Sequence, residues 1–102
     1  MPVNPRLIEP DTDRLFEAVL AVRSVDECYR FFEDLCTIQE IKAMAARFKT
    51  ASMLYEGKTY EEIEKAAGMS TATISRVRRC LHYGADGYRL VLERLHGTDA
   101  GR

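Results

Sequence analysis

Residues Thr59 to Leu81 constrain this chain more than any other stretch, because they read as a helix, a tight turn and a second helix. The Thr59 side chain can accept from the backbone N–H of Glu62, whose carboxylate can return the bond. Thr59-Tyr60-Glu61-Glu62 is therefore a capping box that opens a helix. Its glutamates suit the positive end of the helix dipole. Gly68 supplies the left-handed position at which that helix stops, and Ser70 or Thr71 supplies a fresh N-cap almost at once. Helices joined by so short a turn cross steeply.

The second helix, from Thr71 to about Leu81, separates its faces at a helical period, with Ile74, Val77 and Leu81 on one side and Ala72, Ser75, Arg76 and Arg79 opposite. The outer face fits the major groove. Its small residues let the backbone approach, hydroxyls bond to base edges, and arginine forks reach guanine or phosphate. A DNA-binding helix-turn-helix is the leading expectation, with an ordinary helical corner as the plainer alternative. Thr71, Ala72, Thr73 and Ser75 are expected to face base edges. Arg76 and Arg79 are expected on bases or phosphates, and Lys49, Lys58 and Lys65 on phosphates.

A net charge of −1 does not oppose that partner, because the charges are segregated. Residues 1–36 hold four basic and eight acidic side chains, whereas residues 65–95 hold six basic and two acidic ones. The local field matters more than the total. At 102 residues and 46% apolar content, the chain has the size of one ordered domain. No apolar run approaches a membrane span and no export signal opens the chain, so the expectation is a cytoplasmic protein without membrane contact. Cys28, Cys36 and Cys80 lack zinc or disulfide spacing and read as small buried hydrophobes. No metal site, cofactor motif or acid–base constellation is legible, so no enzyme activity or cofactor is expected.

Pro2, Pro5 and Pro10 mark residues 1–10 as an irregular arm. Residues 11–95 form a single all-α domain of six helices. The first is capped by Asp11, Thr12 or Asp13 and runs to about Val22. The second opens with the box Ser24-Val25-Asp26-Glu27 and runs to about Leu35. The third opens with Thr37-Ile38-Gln39-Glu40 and is ended by Gly57. On that third helix Ile38, Ile41, Met44, Ala45, Phe48, Ala51 and Tyr55 make a continuous apolar face. After the helix-turn-helix, about residues 59–81, a last helix ends near Leu95 and residues 96–102 form a frayed tail. The apolar stripes exceed what one small chain can cover, so a symmetric homodimer is expected.

The long central helix followed by the helix-turn-helix ending Ala72-Thr73-Ile74-Ser75-Arg76 resembles the Trp repressor superfamily, and residues 35–81 resemble its YerC/YecD branch of Trp-repressor-related proteins. The resemblance covers about residues 11–95 and implies an intertwined all-α homodimer that binds a double-stranded DNA operator. In the tryptophan-responsive members a threonine, two arginines and a serine hold the amino acid, and a glycine admits the indole. Thr37, Arg47 and Arg76 match that pattern, whereas Val77 stands at the glycine position and Cys80 at the serine position. Glu61 and Glu64 stand where the family carries basic residues toward DNA. These departures make tryptophan an unexpected effector and leave any other effector unassigned. The expected function is a sequence-specific transcription regulator, a repressor acting by operator occupancy. The alternative is a helical protein–protein interaction module that never touches DNA.

Overall fold

The computed structural model describes residues 3–100, with side chains described through residue 97. Local caps and apolar periodicity set six helices: α1 Pro10–Ala21, α2 Val25–Leu35, α3 Ile38–Tyr55, α4 Tyr60–Ala67, α5 Thr71–Tyr83 and α6 Gly87–Ala100. A 3-10 turn at Pro5–Leu7 precedes them, and there is no strand among the described residues. The all-α class and the order of its six helices are those expected from the sequence.

The capping boxes at Thr37 and Thr59 are both closed. Glu40 N–H donates to Thr37 Oγ1 at 3.1 Å while Thr37 N–H donates to Glu40 Oε1 at 2.8 Å. The corresponding Thr59–Glu62 bonds are both 3.2 Å. In each case the backbone N–H of the threonine, then its hydroxyl, holds the glutamate carboxyl below its ordinary range. At α2 the box is rearranged. Ser24 caps Glu27 N–H at 3.1 Å, but Glu27 Oε1 accepts from Arg23 N–H at 3.0 Å instead of from Ser24. α1 starts earlier than expected, with Pro10 at its first position and Glu9 as N-cap. Proline's fixed φ suits that position, so neither Asp11, Thr12 nor Asp13 is the cap.

Gly68 ends α4 at φ 65°, a left-handed conformation that lacks a Cβ penalty only in glycine. Ser70, not Thr71, caps α5 by accepting from Thr73 N–H at 3.3 Å. Gly84 follows α5 where a Cβ would run into the carbonyl oxygen of Cys80, so any other residue must displace the helix end. α6 continues through Gly97 to Ala100, beyond the end expected near Leu95. A single glycine costs a helix only about 1 kcal/mol, which continued hydrogen bonding can offset.

The chain divides into two compact units, one ending at Lys42 and one beginning at Ala43. In the second, Ala51, Val77, Leu81 and Leu92 make a buried cluster with Phe48, Leu54 and Tyr88 packed against it. Ile63 and Ile74 are fully buried, each contributing roughly 1.5–3 kcal/mol of transfer free energy. Thr50 is buried too, its hydroxyl donating to Ala46 O at 2.9 Å and reaching Met69 Sδ. The apolar face expected along all of α3 is therefore covered only near Ala51, while Ile38, Met44, Ala45 and Tyr55 stay exposed.

In the first unit α1 and α2 bury no residue at all. Leu20 is 83% exposed, and Val25 and Tyr29 are each 73% exposed. Phe31 and Phe32 are half-buried and meet edge to face, with centroids 5.5 Å apart. The cysteines are not the buried hydrophobes expected. Cys28 and Cys80 are exposed and Cys36 is intermediate: Cys28 lies on α2, which buries no residue, and Cys80 lies on α5 outside its buried side of Ile74, Val77 and Leu81.

Candidate nucleic-acid interface

The outward face of α5 rests on a buried one. Ile74, Val77 and Leu81 are 0%, 3% and 4% exposed, and this fixes the helix's rotation. Ala72, Ser75, Arg76 and Arg79 are consequently all exposed, as the helical period requires. Thr71 is exposed as well. Thr73 is half-buried, and its hydroxyl lies 3.0 Å from Ser70 Oγ, which ties it to the N-cap.

The three lysines sit in different settings. Lys49 Nζ donates to Ala66 O at 3.1 Å and so satisfies a carbonyl at the C-terminal end of α4. Lys65 forms an exposed i,i+4 pair with Glu61 at 3.7 Å, which contributes little to stability in water. Lys58 is exposed in the loop before α4, where its charge helps to keep Glu62 ionised after the larger effect of the Thr59 bonds.

Two hydrogen bonds cross from α4 to α5 at the surface. Tyr60 Oη lies 3.4 Å from Ser75 Oγ, and Thr71 Oγ1 donates to Glu64 Oε1 at 2.7 Å. Both depend on how α4 and α5 cross at the connection of residues 68–70, which no pattern within one helix shows. The sequence pattern assigns no DNA role to Tyr60 or Arg78, and reads Glu64 as a helix-start acid standing where the family carries a basic residue. Hydrogen bonding from Ser75, then from Arg78, with the Arg78 charge adding to it, lowers the Tyr60 pKa below the ordinary tyrosine value. Burial acts oppositely on Tyr88, raising its pKa, although the Arg47 charge opposes that rise. Absorbance titration of the five tyrosines should therefore show one early and one late phenol. Tyr60→Phe is expected to remove the early step and Arg78→Ala to delay it; an early step that survives Tyr60→Phe would contradict this geometry.

Of the residues matched to an effector pocket, Val77 belongs to the buried cluster with Ala51, Leu81 and Leu92. Arg47 and Arg76 are exposed. Cys80 lines a largely apolar groove of about 590 Å³ together with Phe48, Gly84, Ala85, Gly87, Tyr88 and Val91. Thr37 uses its hydroxyl to cap α3. No group of His, Cys, Asp or Glu among the described residues is arranged to hold a metal, and no described helix is long and apolar enough to cross a membrane.

The family model described as Trp repressor protein matches residues 11–96. YerC of Bacillus subtilis (strain 168) is 53% identical over 89 residues, covering 87% of this chain and 86% of the relative. The crystal structure of a TrpR like protein from Eubacterium eligens ATCC 27750 superposes with a TM-score of 0.88 at 50% identity, covering 91% of this chain and 96% of that one. A second solved structure, from Staphylococcus aureus, gives a TM-score of 0.86 at 44% identity, covering 90% and 92% of the two chains. With its α4–α5 helix-turn-helix, the chain belongs to the Trp repressor family of DNA-binding transcription regulators.

Proposed function

We propose that this protein is a homodimeric, sequence-specific repressor that acts by occupying a double-stranded DNA operator and needs no tryptophan as corepressor. The observation that carries the proposal is the α5 surface, where Ala72, Ser75, Arg76 and Arg79 are exposed on a helix locked by buried Ile74, Val77 and Leu81. Small side chains beside two guanidinium groups suit base edges and phosphates. Thr71 adds a hydroxyl at the helix start, while Lys58 and Lys65 offer phosphate contacts at the periphery. Lys49 serves better as a brace for the end of α4, given its bond to Ala66 O. The uncovered apolar faces of α1 and α2 support a second copy, since two helices without one buried residue supply no core of their own. The family supports a DNA partner; repression and operator occupancy are the inference.

Packing argues against tryptophan. Val77 is 3% exposed inside the α3–α5–α6 cluster, so the space a glycine would leave is already filled by a branched side chain. Cys80 supplies a weak sulfur partner where a hydroxyl would meet an ammonium group. Calorimetric titration with millimolar L-tryptophan is expected to give no binding heat, and operator affinity should not change. A micromolar affinity, or DNA binding that strengthens with tryptophan, would refute this part. Val77→Gly combined with Cys80→Ser is the variant expected to gain a response, at a stability cost of several kcal/mol from the lost core volume.

The proposal as a whole is tested by retention on duplex DNA. Binding at low salt that falls steeply as salt rises is expected from counterion release. A folded dimer that ignores DNA at every salt concentration would favour the interaction-module reading instead.

A further inference from the structure

The bond between Thr71 and Glu64 ties the first residue of α5 to the exposed face of α4. We propose that Glu64 is a specificity-determining residue of the DNA interface, accepting a hydrogen bond from the N4 amine of a cytosine in the major groove while Thr71 positions it. This rests on the operator-binding reading and names one base that the site selects.

Thr71 is the first residue of α5, and the N-terminal residues of a recognition helix are those that reach base edges. Glu64 Oε1 lies 2.7 Å from Thr71 Oγ1, so the carboxylate is held at the reading end of the motif. The other two glutamates of α4 are used locally, Glu61 with Lys65 and Glu62 with Thr59. Glu64 alone among them bridges to α5. An ionised carboxylate has roughly four lone-pair sites, and one hydroxyl donor leaves most of them available.

Electrostatics decides what such a carboxylate can do against DNA. It is repelled by the phosphates of every sequence and so weakens binding in general. Only a base that offers a donor can offset that repulsion. Guanine presents N7 and O6, both acceptors, and thymine presents O4 and a methyl group, so each leaves the carboxylate facing like charge or no partner. Adenine has an amine but sets the N7 acceptor beside it. Cytosine presents the N4 amine without that neighbour and is the best fit. The carboxylate thus acts by penalising wrong bases more than by adding affinity for the right one.

Selection from a random duplex pool with the full-length chain tests this. The wild type should enrich a site in which one position of each half-site favours cytosine over other bases on the order of tenfold. Glu64→Ala should lose the preference at that position only, keep the remaining positions, and bind generic duplex more tightly at low salt. Glu64→Gln should shift the position toward adenine, whose N6 and N7 match an amide. Thr71→Val should blur the preference and Thr71→Ser restore it, a rescue that follows the hydroxyl and not helix capping, which belongs to Ser70. If Glu64→Ala kept the wild-type preference at every position, the assignment would be wrong while the operator reading stood. A wild type that enriched no sequence would remove both.

Discussion

Leu20→Asp is expected to yield no dimer and little folded protein. In a single chain Leu20 is 83% exposed, and a charge placed on a free surface usually changes stability by less than about 0.5 kcal/mol. If a second copy covers α1 and α2, the same aspartate is buried without a partner at a cost of several kcal/mol, comparable with the whole stability of a small domain. Sedimentation of the wild type should give about twice the 11.6 kDa chain mass at micromolar concentration. Circular dichroism of the variant should show lost helix. A variant that stays folded with the wild-type melting temperature would mean that this face is free.

Replacing both Arg76 and Arg79 by alanine is expected to abolish measurable operator binding and leave folding nearly intact. Each guanidinium bonded to a base contributes about 1–3 kcal/mol of discrimination, and loss of two per protomer acts twice in a dimer. Both side chains are exposed, and neither belongs to the cluster around Val77. Arg76→Ala alone should weaken binding by part of that amount. A variant that lost thermal stability but kept its DNA affinity would show that these arginines serve packing.

The features legible in the sequence were those carried within a few residues. The Thr59–Glu62 and Thr37–Glu40 boxes, the stop at Gly68 and the buried side of α5 each need only a local pattern, and each is present. Local patterns failed where two solutions competed for one terminus. Pro10 displaced the expected caps of α1, Glu27 chose the N–H of Arg23, and hydrogen bonding carried α6 past Gly97. Burial was less legible, because a stripe of apolar residues says that a face wants cover without saying which chain supplies it. That is why Cys28 and the first half of α3 are more exposed than their neighbours in sequence implied, whereas Cys80 falls outside the covered side of α5.

The interface was readable in outline only. Periodicity placed Ala72, Ser75, Arg76 and Arg79 on the outer face correctly, because one helix sets all four. It could not show the bonds that join different helices. Tyr60 with Ser75, Glu64 with Thr71 and Lys49 with Ala66 depend on how two helices cross. Those crossings show that Lys49 braces the end of α4 and that the Glu64 carboxylate is tied to the first residue of α5.

The most direct measurement is the sequence enriched from a random duplex pool by the wild-type dimer. A dimer that presents two α5 helices should enrich a twofold-symmetric site whose half-sites are centred about one helical turn, roughly 34 Å, apart. A folded, dimeric protein that enriches no sequence, or one without twofold symmetry, would contradict this expectation.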